Sequence, residues 1–303
     1  MKTDWLTFLR GGIGIVLGLM LVAYWQDFGL LHHPTGGLLD ADLLQLLGDG
    51  PMPPLGQLVA ALHRYTGVAA EALLTCAKVI YLGCCALLAA QWKSRWVAAA
   101  LMLQHHAIYI AVPAFSYGVD FLAMTALACC CAAPSDGTHP GNRAVRHFLR
   151  IALCIVYFMG GYDKLGSSWF AGEAVWKALH LPGYAGVAHP LVAVLPAWPP
   201  LWAAVGTAVV LIELSYPVGV WFRRSRRAVL AAIIGLHLGI ALFLGLYYFS
   251  ALMVVLHVAA FIAPYTNGLQ PVAHPIHSPP GGKYARTLAP DGETGPPTGL
   301  PAP

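Results

Sequence analysis

The sequence predicts an all-α fold, a polytopic bundle of about eight transmembrane helices with both termini cytoplasmic. Three observations predict it. Hydrophobic residues make up 58% of the chain and charged residues only 10%, where an ordinary soluble domain carries roughly 25% charged residues, and the mean hydropathy is +0.66. No Asp, Glu, Lys or Arg occurs from Ala228 through Ile262, a stretch longer than the roughly 20 residues one helix needs to cross a bilayer. It must therefore fold back on itself, around Gly245 to Tyr248. Finally, Lys2, Arg10, Lys93, Arg95, Arg143, Arg146, Arg150, Arg223, Arg224, Arg226, Arg227, Lys283 and Arg286 all fall on one side of the resulting topology, as cytoplasmic connections require.

The elements follow in order. Apolar runs of spanning length lie near residues 9–26, 68–90, 96–114, 117–133, 148–164, 199–222, 228–245 and 248–263. Lys2 and Arg10 before the first run resemble the start of a secretory signal, but no small-x-small cleavage site follows at Tyr24, Trp25 and Gln26, so the run is a retained helix. The connection after it carries Asp40, Asp42 and Asp49 and reads as an external loop. Glu71 and Lys78, two turns apart on one face of the second span, suggest an ion pair or a proton route. Trp169, Phe170, Trp176 and Leu179 recur at helical spacing until Pro182 and Gly183, which predicts an interfacial amphipathic helix. Trp198 and Trp202 mark the re-entry of the chain. Residues 1–264 thus form the membrane domain. Residues 265–303, rich in proline and glycine, read as a disordered cytoplasmic tail.

The net charge of +4 reflects this topology and implies no nucleic-acid partner; the partner is the lipid bilayer, and the expected location is the inner, cytoplasmic membrane. The seven cysteines include Cys84, Cys85 and Cys129 to Cys131 but no CxxC pair, and they read as small residues at helix packing faces. No metal is expected.

The residue that stands out is Lys164, at the outer end of the fifth span in YFMGGYDKLGSSWF. A cation near hydrocarbon is costly. Lysine escapes that cost either by becoming a neutral amine, which is a base, or by snorkelling its ammonium to the headgroups. Odd spans run outward here, which puts Asp120 just inside the outer surface and His105, His106 and His237 near mid-depth. An outward-opening pocket holding Lys164, Asp120 and one or two histidines is the resulting candidate site. Glu213 and His257 lie deeper and are weaker candidates.

The string YFMGGYDKLGSSWFAG resembles the segment of aromatic, Gly, Lys-Leu, Trp and Gly in the vitamin K-dependent gamma-glutamyl carboxylase family and its bacterial relatives, the HTTM domain proteins. LIELSYPVGVWFRRSRR followed by GLHLGIALFLGLYYFSALMV resembles a second block of that family, and SYGVDFLAM is a weaker third match. The resemblance implies that Lys164 is the base that deprotonates a vitamin K-type hydroquinone such as menaquinol, and that His237 is the histidine of the penultimate block. Tyr162, Trp169 and Phe170 then flank the quinone ring. The implied activity is quinol-dependent modification of an extracytoplasmic substrate, carboxylase- or epoxidase-like. The alternatives are a non-catalytic membrane partner in maturation or export of a secreted peptide, and an electron carrier with haem between His106 and His237.

Overall fold

A backbone in hydrocarbon must satisfy its own N–H and C=O groups, so apolar runs of spanning length become helices. The computed structural model describes residues 4–39, 52–111, 116–134, 141–165, 168–181, 183–195 and 198–264, and every regular element among them is helical. In chain order these are α1 (Trp5–Ala23), α2 (Phe28–His32), α3 (Leu55–Thr66), α4 (Ala70–Ala89), α5 (Ser94–His105), α6 (Gly118–Ala132), α7 (Gly141–Asp163), α8 (Glu173–His180), α9 (Pro199–Gly219), α10 (Arg226–Leu244) and α11 (Tyr247–His257). Five of them, α1, α4, α7, α9 and α10, are long and apolar enough to cross a membrane. Both α5 and α11 end on a buried histidine and run on as a π-helical turn, His106–Ile110 and Val258–Ile262 respectively.

The centre of the bundle is α1, which packs against α4, α6 and α11. Its glycines set these distances: a Cβ on Gly14 would lie 2.5 Å from the Cys85 carbonyl of α4 and one on Gly12 2.6 Å from Val255 of α11. Without side chains there, the backbones approach closely enough for dispersion contacts to hold helices together in an apolar medium.

One end of the bundle is tied by arginines. Arg10 Nη2 donates to the carbonyl of Ala133 at 3.2 Å and Arg95 Nε to that of Cys131 at 2.9 Å, both at the C-terminus of α6. Arg146 Nη2 donates to the Ala263 carbonyl at 2.7 Å, and Arg146 and Arg150 both donate to that of Ala260, where the last π turn ends. Arg226 Nε donates to Val220 O at the end of α9, at 2.7 Å. Three helix C-termini thus receive cations that complete their orphan carbonyls and oppose their dipoles. The backbone N–H of Trp5 donates to Pro264 O at 3.1 Å, so the first and last described helices meet at this same end.

Helices α2 and α3 lie in the connection after the first run, which the sequence reads only as an external loop, while the long helices follow the apolar runs with one instructive extension. α7 starts at Gly141 rather than near residue 148, because its first turns carry the polar residues Arg143, Arg146 and Arg150, which hydropathy discounts. The amphipathic segment forms a shorter helix, Glu173–His180, with Trp169 and Phe170 in the turns before it. Glu71 and Lys78 do not pair: Glu71 meets His33 at 3.2 Å, while Lys78 donates to Trp25 O at 3.4 Å and lies 4.4 Å from the Trp25 ring. The indole and carbonyl at the end of α1 are within reach of the ammonium, and Glu71 is drawn to the turn after α2. The seven cysteines are free thiols. The acidic residues Asp40, Asp42 and Asp49 and the proposed tail 265–303 lie outside the described residues.

Candidate functional site

Three glycine contacts place Lys164. α7 closes with tight turns, Lys164 N–H to Gly161 O at 3.2 Å and Leu165 N–H to Tyr162 O at 3.0 Å, and Gly161 lies against α9 so closely that a Cβ would sit 2.9 Å from Leu214. Beyond the turn, Gly172 adopts φ +79° against the backbone of Trp202 and Ala203, and Gly206 of α9 lies under the Trp169 carbonyl. The segment after Lys164 is therefore laid along α9. Lys164 Nζ then donates to Glu213 Oε2 at 2.7 Å and to Gly160 O at 2.9 Å, and lies 5.1 Å from the centre of the Trp169 ring.

This is not the position expected of a headgroup anchor. Lys164 follows the end of its own helix, but α9 continues well beyond it. At 1.5 Å rise per residue, Glu213 is roughly 9 Å from the arginine-tied end of α9 and roughly 21 Å from the other. The side chains of Lys164 and Glu213 are only 20% and 12% exposed. Glu213, the weaker candidate by sequence depth, is the partner of Lys164, because α7 stops short of the level at which α9 begins.

The pair continues inward as a buried polar cluster. Tyr157, two turns before Lys164 on α7, shares a hydrogen bond of 2.7 Å with His237 Nε2 of α10. Tyr216, one turn beyond Glu213, places its ring 4.3 Å from that of Tyr157, and His257 of α11 lies 5.4 Å from both. His257 Nδ1 is bonded to Met253 O at 2.6 Å. Three atoms here, Tyr216 Oη, His237 Nδ1 and His257 Nε2, are buried without a hydrogen-bond partner among the described residues. An unmet buried polar atom costs about 1–3 kcal/mol, so the cluster is built for hydrogen-bonding occupants or water.

Asp120 and His105 form a separate centre at the end opposite the arginines. Asp120 occupies the first turn of α6, where Oδ2 accepts from the Tyr117 N–H at 2.8 Å as part of a capping box. Its Oδ1 faces His105 Nε2 at 3.6 Å, and His105 Nδ1 shares a 2.8 Å hydrogen bond with the Tyr81 hydroxyl. The Tyr109 ring, carried on the π turn, lies 4.8 Å from His105. A cavity of about 330 Å³ opens beside Asp120 and Tyr109, and Lys164 is not among its lining residues. Phe249 stands between the two centres, 6.2 Å from the Tyr117 ring and 5.3 Å from that of His237.

Of the residues singled out in the sequence, Lys164 and Trp169 thus come together, with His237 in the adjoining cluster, while Asp120 and His105 belong to the second centre. His106 begins the π turn, with a buried Nε2 that has no partner among the described residues. Tyr162 stacks on Phe158 and is 58% exposed, and Phe170 is 43% exposed, so neither flanks Lys164. Sequence reasoning ranked Glu213 too low and passed over Tyr157, Tyr216 and Tyr81. The spacing Tyr157 to Lys164 is one available signal, since residues seven apart share a helix face. Among the described residues, no group of three or more His, Cys, Asp or Glu is placed to hold a metal ion. No family model, no curated protein and no solved structure matches the chain.

Proposed function

We propose that the chain is an eight-span protein of the cytoplasmic membrane, with the arginine-tied end and both termini in the cytoplasm. In this reading it binds a lipid-borne hydroquinone beside the Lys164–Glu213 pair and uses it to modify an extracytoplasmic substrate. The eight-span reading counts α6, and α5 and α11 with their π turns, as spans beside the five long helices. The observation that carries the functional reading is the 2.7 Å ion pair inside an apolar bundle, continued by the tyrosines and histidines of the adjoining cluster. It agrees with the resemblance of this segment to the HTTM and vitamin K-dependent carboxylase proteins. The three buried polar atoms of the cluster without partners fit a ring bearing two hydroxyl groups.

The quinol supplies, when bound, an oxidisable ring whose deprotonated form reacts with oxygen. The protein supplies the proton acceptor. Lys164 Nζ is surrounded by a carboxylate, a carbonyl and an indole face, an environment that suits an ammonium rather than a free amine. The base of the pair is then the Glu213 carboxylate, and Lys164 keeps that carboxylate ionised and oriented. This modifies the role the resemblance implies for the lysine. Glu213 Oε2 would accept the proton that a bound quinol hydroxyl gives up, and the hydrogen-bonded Tyr157 and His237 lie deeper in the bundle to pass it on. Exclusion of water by α9 and the Trp169 segment keeps the pair strongly coupled.

Mass spectrometry of lipids extracted with the purified full-length chain tests this. A menaquinone retained by the natural protein and lost from Glu213→Gln is the expected result; phospholipid alone in both would sink the proposal. In a turnover assay on such a quinol, Glu213→Gln and Lys164→Ala should both abolish activity. A non-catalytic role in peptide maturation instead predicts that Glu213→Gln is silent.

A further inference from the structure

The cavity beside Asp120 carries chemistry that the quinol reading does not use. It is lined at one end of the bundle by Tyr24 at the close of α1, His32 of α2, Tyr109 on the π turn, Tyr117 and Asp120 at the start of α6, and Tyr184. The remaining lining is aliphatic, and neither Lys nor Arg contributes to it. Asp120 is 4% exposed, and three atoms of this lining, Asp120 Oδ1, Tyr109 Oη and His32 Nδ1, are buried without a hydrogen-bond partner among the described residues. His105 Nε2, at 3.6 Å, stands just beyond hydrogen-bond reach of Oδ1. Burial lowers the His32 pKa to about 4, so its imidazole adds no positive charge at neutral pH. Asp120 is therefore the one acidic or basic side chain of the described lining other than histidine and tyrosine.

A carboxylate with an unmet oxygen, phenol oxygens that accept hydrogen bonds, and aromatic rings that attract cations are the elements from which ammonium sites are made. An anion would meet Asp120 with no cation to offset it. A neutral apolar molecule would leave three buried polar atoms unmet.

We propose that this cavity binds a primary ammonium group on a short apolar body, with Asp120 Oδ1 and Tyr109 Oη as acceptors and the tyrosine rings around it. The site shares no residue with the Lys164–Glu213 pair and stands or falls independently of the quinol reading. Two sources have this chemistry, an ethanolamine headgroup of the surrounding lipid and a free amine or peptide amino terminus.

The experiment uses the full-length chain in phosphatidylglycerol nanodiscs, titrated calorimetrically with n-butylammonium, n-butanol and n-butyrate. We expect one n-butylammonium per chain, at least tenfold weaker binding of n-butanol, and no binding of n-butyrate. Asp120→Asn should weaken n-butylammonium at least tenfold, and Tyr109→Phe, which keeps the ring and tests the site even if the first variant fails to fold, severalfold. Equal binding of n-butanol and n-butylammonium, no binding of n-butylammonium, or full affinity in a folded Asp120→Asn or Tyr109→Phe variant overturns the proposal. Competition by added phosphatidylethanolamine assigns the site to the lipid headgroup; undiminished n-butylammonium binding in its presence assigns it to a soluble amine.

Discussion

The two polar centres are built from the same parts and differ in one. Each has a buried tyrosine hydroxyl sharing a short hydrogen bond with a histidine, Tyr81 with His105 and Tyr157 with His237, and each lies beside a histidine that precedes a π turn. In the inner centre the carboxylate, Glu213, is compensated by Lys164 at 2.7 Å. In the other, Asp120 has among the described residues no basic partner closer than an imidazole nitrogen at 3.6 Å. A compensated carboxylate can stay ionised in an apolar bundle and exchange protons; an uncompensated one beside a cavity asks for a cationic or donor ligand. The same scaffold thus holds a compensated carboxylate in one place and an uncompensated one beside a cavity in the other.

The largest effect should come from breaking the compensation. Lys164→Ala leaves Glu213 partly buried without its cation and should cost about 3–5 kcal/mol, read as a fall in the thermal unfolding midpoint in detergent. Adding Glu213→Ala should recover most of that loss in a double-mutant cycle. A single variant as stable as the natural protein would mean that the pair is solvated and unlike the buried carboxylate it is compared with.

Next is the pH dependence at the Asp120 end. His32 lies outside the spanning helices, packed 4.7 Å from the Phe28 ring, and burial lowers its pKa from 6.5 to about 4. The unfolded chain takes up this proton more readily than the folded one, so the contribution is complete above about pH 6.5 and is lost as pH falls toward 4. It amounts to about 3 kcal/mol. His32→Leu should flatten the stability profile over that window relative to the natural protein, as measured by denaturation at successive pH values; an unchanged difference between pH 7 and pH 4 would contradict the burial.

A smaller loss is expected at Gly172. A Cβ there meets the backbone of Trp202 and Ala203 in a left-handed conformation, so Gly172→Ala should cost about 2 kcal/mol. Because Gly172 also lays the Trp169 segment along α9, the variant should raise exchange of the Trp169 indole N–H in deuterium while leaving that of Trp25 unchanged. The smallest effect sharpens the likeness of the centres. Tyr81→Phe and Tyr157→Phe each remove one buried hydrogen bond and should each cost about 1 kcal/mol; a loss confined to one would show that the histidine of the other centre has another partner.

The sequence by itself determined that the chain is helical and apolar enough for a membrane, roughly where its long helices fall, and that Lys164 is anomalous. Hydropathy and charge are local sums, so runs such as the one that became α10 are readable without neighbours. The basic residues also foretold one end of the bundle, although not that Arg146 and Arg150 close the last helix by binding its carbonyls. Which polar groups meet was settled by tertiary structure alone. Lys164 is followed by aromatic residues and resembles an interfacial anchor until α9 is seen to run past it, and Glu213 reads as too deep until Gly161 and Gly172 bring the two segments into contact. Asp120 and Lys164, assigned to one pocket by counting along ideal spans, occupy different centres. Depth along a helix follows from sequence, but the facing of one helix toward another depends on close approaches at particular glycines and on where each helix stops, and these exist only once the helices pack.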